Sequence, residues 1–338
     1  MPIFYLDEVS TLPDPSENPN MITFYQGEIW VALDGFWYKL AGQPIVHIAN
    51  GYIAGGFNGA SRLSLIEKLD YSNETVFTLS SSLTTAREGL CGANNIASGV
   101  FAGGFTGSAI SNVVERFDFS SLILSASTMS LATPRRDLDA TNSWAFAYFG
   151  GGSITGGSAS NKISMFHFDV NHHSELSGTL STARDFVTGI SSYTHGFFCG
   201  GLVSGNSSNI VNAVDYNSHT VASPFTLTTA RRAAAGVSSA TTGYLCGGII
   251  STYTNTLVSI QFSDYTQTTL SNTLSIEVSH SAGVSSHSNA YICGGRDTTQ
   301  YYSTINKLQF SNNAVSSISA TLSQGRSSSA GVQSGYNY

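Results

Sequence analysis

The sequence predicts an all-β fold, a β-propeller of four-stranded antiparallel blades, from three observations. A double glycine preceded by an apolar triplet occurs six times: YIAGG at Gly55, VFAGG at Gly103, AYFGG at Gly150, FFCGG at Gly200, YLCGG at Gly247 and YICGG at Gly294, spaced by 48, 47, 50, 47 and 47 residues. After each pair comes a segment ending in an aromatic: IEKLDY to Tyr71, VERFDF to Phe119, ISMFHF to Phe168, VNAVDY to Tyr216, LVSIQF to Phe262 and INKLQF to Phe310. A third motif ends in arginine at Arg87, Arg135, Arg184, Arg231 and Arg326, with His280 standing near that place in the fifth unit. Repetition at this period marks an array of one supersecondary unit.

Each unit reads as four strands. The segments are short, rich in Val, Ile, Tyr and Phe and bounded by Gly, Ser and Asn, which is strand-and-turn chemistry without helical periodicity. Strand a follows the arginine, b ends in the double glycine, c ends in the aromatic, and d precedes the next Leu-x-x-x-Arg. Four strands in about 47 residues make one propeller blade.

These motifs resemble the kelch repeat, which closes strand b on Gly-Gly and strand c on an acidic-aromatic pair. The resemblance spans residues from about 43 to 338. It departs from the family in lacking a Trp on strand d, since the three Trp are Trp30, Trp37 and Trp144. It implies a divergent kelch-like propeller and carries no particular activity.

Closure has two readings. GVQSGYNY (Gly331–Tyr338) resembles a strand a, EIWVAL (Glu28–Leu33) a strand c and FWYK (Phe36–Lys39) a strand d, because Lys39 precedes Gly55 as Arg87 precedes Gly103. The reading taken first is a seventh, composite blade joining the two ends, with an arm at 1–20 and a propeller at 21–338, which removes an open edge. The alternative is six blades at 43–338. In that reading residues 1–42, whose stretch from Pro15 resembles small β-modules of phage tail and fibre proteins, form a virion-docking segment.

Composition excludes several functions. Lys and Arg number 14 against 21 Asp and Glu, a net charge of −7, so a nucleic-acid backbone is not an expected partner. Charged residues are 10% of the chain, while Ser reaches 53 and Gly 34. No run of about 18 apolar residues predicts a membrane span, and the acidic start has no signal-peptide pattern. Nucleophile elbows, H-E-x-x-H and phosphate loops are missing, so the expectation is a non-enzyme without cofactors.

Candidate sites fall in four groups. Arg87, Arg135, Arg184, Arg231 and Arg326 should ring the channel mouth, either binding anions through planar guanidiniums or tying blades together through backbone carbonyls. Cys199, Cys246 and Cys293 recur where earlier units have Ala54, Ala102 and Phe149. They read as small core residues, too far apart for disulfides. His167, His172, His173, His195 and His219, with Asp169 and Glu175, crowd the a–b and c–d turns without a metal spacing, so no metal is expected. The b–c loops vary at every copy and carry Arg62, Tyr253, Arg296, Asp297, Tyr301 and Tyr302 among small polar residues, the composition of adaptable binding loops.

The expected function is a non-enzymatic phage virion component (fibre, spike or decoration) that displays the propeller for host-surface or carbohydrate binding. Its partners would be other virion proteins through the N-terminal segment and a host glycan or receptor, with a homo-oligomer left open. The alternatives are an intracellular, cytoplasmic kelch-type scaffold and a secreted lectin.

Overall fold

A computed structural model describes residues 22–25, 28–33, 36–39, 50–170 and 172–335, with the backbone alone for 22–39 and 126–129. The chain forms two units, Met1–His47 and Ile48–Tyr338. In the first, Ile22–Tyr25, Glu28–Leu33 and Phe36–Lys39 pair antiparallel in chain order. The arm expected at 1–20 and the join at 40–49 lie outside the described residues.

The second unit is a propeller of six four-stranded antiparallel sheets. In strand order a-b-c-d, blade 2 is Cys91–Asn94, Ser98–Ala102, Val113–Asp118 and Ile123–Ser130. Blade 3 is Asp139–Asn142, Phe146–Gly150, Ile163–His167 and His172–Glu175. Blade 4 is Thr188–Ser191, His195–Cys199, Val211–Asp215 and Val221–Ala222. Blade 5 is Ala235–Ser238, Thr242–Cys246, Thr256–Gln261 and Gln267–Thr273. Blade 6 is Ala282–Ser285, Asn289–Cys293, Thr304–Gln309 and Val315–Thr321. Blade 1 takes b, c and d from Asn50–Ala54, Leu65–Asp70 and Thr75–Ser82, and its strand a is Ala330–Gln333 from the far end of the chain.

This arrangement corrects the seven-bladed reading in favour of six. Gly331 pairs with Ile53, Val332 with Tyr52 and Gln333 with Gly51, so the C-terminal strand fills the inner edge of blade 1. The segments Glu28–Leu33 and Phe36–Lys39 are strands, but they pair with each other and with Ile22–Tyr25. The physical reason is a count of edges. Each double glycine ends one strand b, each strand b needs one inner partner, and the six partners are used up when Ala330–Gln333 pairs with Asn50–Ala54. Every strand a then touches the strand a on either side, and the ring is closed.

The repeated residues now have causes. Both glycines of each pair have positive φ, about 62–68° and 94–107°, where a side chain is strained. In the third unit that pair is Gly151 and Gly152, not Gly150 and Gly151. Gly150 is therefore the counterpart of Ala54, Ala102 and the three cysteines, displacing Phe149 from that role. A Cβ there would meet the Phe198 ring of blade 4.

The aromatic closing strand c reaches back to strand b of the preceding blade and stacks on it. The pairs are Tyr52–Phe119, Tyr148–Tyr216, Phe197–Phe262, Tyr244–Phe310 and Tyr71–Tyr291, with centroids 4.9–5.6 Å apart and planes within 20°. At the remaining junction Phe168 packs in one apolar cluster with Val100. Offset aromatic pairs add to the area they bury, so one position per repeat welds each blade to the next.

Candidate functional site

The b–c loops and the d–a crossings share one face of the propeller, and the central channel opens there. The five arginines lie beneath this face rather than on it. Their exposure is 3% or less. Arg87 ion-pairs with Glu115 at 2.5 Å and Arg326 with Glu67 at 2.6 Å. Arg135 donates to the carbonyls of Gly151, Lys162 and Phe149 at 2.9, 2.8 and 3.2 Å, and to the Ser164 hydroxyl. Arg231 donates to the carbonyls of Gly247 (2.7 Å) and Thr256 (2.9 Å), and Arg184 to that of Phe198 at 3.0 Å. Burial lowers each guanidinium pKa, that of Arg184 to about 10. Guanidiniums so enclosed present no face to a soluble anion; they hold the d–a crossing onto the strands of the blade it enters. In the fifth unit Val278 takes this place, since its carbonyl accepts the second glycine's N–H as those of the five arginines do elsewhere.

Two residues beyond the arginine position runs a feature with no signature in the sequence. Gly89, Asp137, Phe186, Ala233, His280 and Ser328 all adopt left-handed backbone, with φ of 51–63°. Each N–H donates to the carbonyl of its counterpart in the preceding blade: Asp137 to Gly89, Phe186 to Asp137, Ala233 to Phe186, His280 to Ala233, Ser328 to His280 and Gly89 to Ser328, all at 2.8–2.9 Å. Six backbone hydrogen bonds thus close a circle around the channel. The circle asks only for a backbone conformation, so six different demands on side chains remain open at these places, and no motif betrays it.

The channel is narrow, with a volume of about 150 Å³. Its mouth holds Asp137, Phe186 and His280. The Asp137 carboxyl is pushed up to about 7 by burial, with Arg136 at 3.5 Å pulling against it. Asp139 accepts the N–H groups of Ala140 and Gly189 at 2.8 and 2.7 Å, yet burial raises it to about 6. Burial also drives His280 down to about 3; its Nδ1 bonds the Ser279 hydroxyl at 2.7 Å, and its ring meets Phe186 edge-on. Both carboxylates face the channel and stay half-buried.

Around the mouth, side chains stitch neighbouring blades. Arg62 gives Nε and Nη2 to Glu88 at 3.0 and 2.8 Å and lies between the Phe57 and Phe105 rings, 5.0 and 4.9 Å from their centroids. Arg136 covers Phe105 at 5.0 Å. Asp185 accepts from Ser153, Arg232 donates to Ser207 at 2.8 Å, and Tyr301 packs edge-on against Phe57 at 5.6 Å. Of the residues expected to bind, Arg62 and Tyr301 are thus part of the stitching. Asp297 caps its own loop by accepting the N–H of Thr299 and Gln300 and the Tyr302 hydroxyl at 2.7 Å; these bonds, led by Tyr302, hold its pKa low. Tyr253 and Arg296 are half-buried, and among the described residues their side chains make no hydrogen bond, ion pair or ring contact.

In solved structures the architecture has a counterpart. The chain is similar in fold to YjhT. The structure titled "Structure of YjhT" superposes with a TM-score of 0.61 over 72% of this chain and 86% of that one, at 12% identity. No protein-family model and no curated protein matches the chain. At that identity the likeness to YjhT establishes the fold alone.

The opposite face carries the histidines dispersed rather than gathered. His219 Nδ1 bonds the Tyr148 hydroxyl at 2.9 Å, His195 faces Asp215 at 3.4 Å and His173 faces Glu175 at 3.8 Å. No three His, Cys, Asp or Glu among the described residues converge as metal ligands. Trp144 and Tyr193, both 53% exposed, sit at a–b turn tips there. The four cysteines are free and buried, and burial raises Cys199, Cys246 and Cys293 to about 12.

Proposed function

We propose that the chain is a non-enzymatic binding propeller displayed on a phage particle as a fibre, spike or decoration component, with the b–c loop face turned to a host-surface ligand. The observation that carries the reading is the division of labour between the two kinds of residue on that face. Recurrent residues are buried in the blades, while Tyr253 and Arg296, in loops that differ at every copy, are half-buried with side chains that make no hydrogen bond, ion pair or ring contact among the described residues. Loops on a rigid scaffold are where binding residues concentrate. The charge-poor, Ser- and Gly-rich composition suits an exposed particle protein. Residues before the propeller are the natural attachment to the particle.

The test has two arms. Immunogold electron microscopy of particles and cells from the source culture should place label on particles; label confined to cytoplasm favours the scaffold alternative. Adsorption of the purified chain to the same cells should fall at least tenfold for Tyr253→Ala with Arg296→Ala, and stay unchanged for Trp144→Ser with Tyr193→Ser. The reverse pattern moves the working surface to the a–b turn face and overturns the proposal.

A further inference from the structure

Each junction between blades on the b–c face has a filler except one. Glu88, Arg136, Asp185 and Arg232 occupy equivalent places, each directly after the buried arginine and bridged to the first residue after the double glycine of its blade. Each reaches a loop of the preceding blade, through Arg62, Phe105, Ser153 and Ser207 respectively. At the junction of blades 6 and 1 the equivalent residue is Ser327, but Tyr301 on Phe57 and Asn58 on Gln324 (2.7 Å) close the gap. At the junction of blades 5 and 6 the equivalent is Ser279, which is short and is engaged with His280. The neighbouring repeat residue is lost too, Val278 standing for arginine.

What remains there is a notch of about 430 Å³, lined by Ser251, Thr252, Tyr253, Ile276, Glu277, Asp297 and Thr298. That volume is within the range of small-molecule sites, about 300–1,000 Å³. Its chemistry is specific. Tyr253 supplies a ring and Ile276 an apolar patch, suited to the C–H face of a sugar. Ser251, Thr252 and Thr298 supply hydroxyls. Glu277, without a partner among the described residues, supplies a carboxylate, a strong acceptor for sugar hydroxyls, and Asp297 adds a second negative charge while its oxygens hold its own loop. The two negative charges repel an anionic ligand placed between them.

We infer that this notch is the ligand subsite of the b–c face and that it takes an uncharged saccharide, excluding carboxylated and sulfated sugars. The inference rests on the reading that the b–c face carries the ligand. The sugar lies across the Tyr253 ring with vicinal hydroxyls on Glu277.

The experiment is a printed array of neutral and acidic oligosaccharides probed with the full chain, four b–c face variants and, as a fifth, Trp144→Ser, all of matched melting temperature. Ser279→Arg restores the filler that Arg232 provides elsewhere and should lower binding at least tenfold by closing the notch. Glu277→Gln and Tyr253→Ala should each lower it several-fold, and binding should be confined to neutral glycans. Selection of acidic glycans, or no binding to any glycan, overturns the inference. If neutral glycans bind, the three notch variants bind like the parent and Arg62→Ala binds less, the subsite is elsewhere on the b–c face: the inference fails and the proposed function stands. If none of the four changes binding and Trp144→Ser abolishes it, both fail.

Discussion

Arg87 and Glu115 are fully buried against each other, and Glu115 also accepts the Thr84 N–H at 2.8 Å. Removing one member of such a pair leaves the other charge without compensation, at a cost of about 3–5 kcal/mol, whereas replacing both by apolar groups of similar volume is far milder. Glu115→Leu alone should therefore destabilise the propeller by about 3 kcal/mol or more, and adding Arg87→Met should recover much of the loss, as read by urea denaturation. Equal loss in single and double variants would assign the arginine's value to its packing. Asp137 obeys a different rule. Its folded pKa of about 7 stands above the ordinary aspartate value because burial opposes its charge. A raised acid stabilises the fold while protonated, and that contribution is lost as pH rises from about 4 towards 7. Asp137→Asn removes the ionisation, so relative to the parent it should gain about 2.7 kcal/mol between pH 5 and pH 8, two units at about 1.4 kcal/mol each. A parent and variant that run parallel across that range would show the carboxyl to be solvated by channel water.

The inner strands explain what a sequence can and cannot disclose about its elements. Strand a carries glycine at its second place in five blades (Gly92, Gly189, Gly236, Gly283 and Gly331), and a Cβ at Gly236 would run into the Gly189 carbonyl oxygen. Gly236→Ala should cost about 1–3 kcal/mol through overpacking, measured by the same denaturation. The double glycines, the stacked aromatics and the buried arginines were legible because each answers a demand on side-chain identity that most or all blades repeat. The circle of left-handed residues was illegible because its demand falls on φ and on the backbone N–H, which Phe186, Ala233 and Asp137 meet as well as Gly89. Blade number was misjudged for a related reason. Strand-like patterns at Glu28–Leu33 and Phe36–Lys39 are real, but periodicity does not say which edge a strand joins. Of the candidate site, variability points to Tyr253 and Arg296, while the stitching roles of Arg62 and Tyr301 and the open junction beside Ser279 are relations between blades that no single segment records. Deleting residues 327–338 removes the inner strand of blade 1 and Ser328 from the circle, so the remaining chain should fail to give a cooperative melt.

At the scale of the whole molecule, closure by the C-terminal strand makes a claim about the N-terminal 47 residues. All 24 strands of the six blades fall between Asn50 and Gln333, and the hydrogen-bond circle, the arginine ties and the stacked aromatic pairs are complete within that span. Among the described residues before Asn50, the strands Ile22–Tyr25, Glu28–Leu33 and Phe36–Lys39 pair with one another. A chain of residues 48–338 should accordingly melt within about 2 °C of the full chain in differential scanning calorimetry. The contrast with a composite blade is large. Losing an outer pair of strands from a closed ring would cost several kcal/mol, and in a unit of this size each kcal/mol moves the midpoint by about 2–4 °C, so a shared blade would show as a drop of many degrees. The same truncated chain separates structure from attachment. If the N-terminal unit is the anchor, residues 48–338 should bind neutral glycans as the full chain does and fail to co-sediment with particles. Retention on particles would transfer the anchor to the propeller itself and make the a–b turn face, with Trp144 and Tyr193 at its turn tips, the surface to disrupt next.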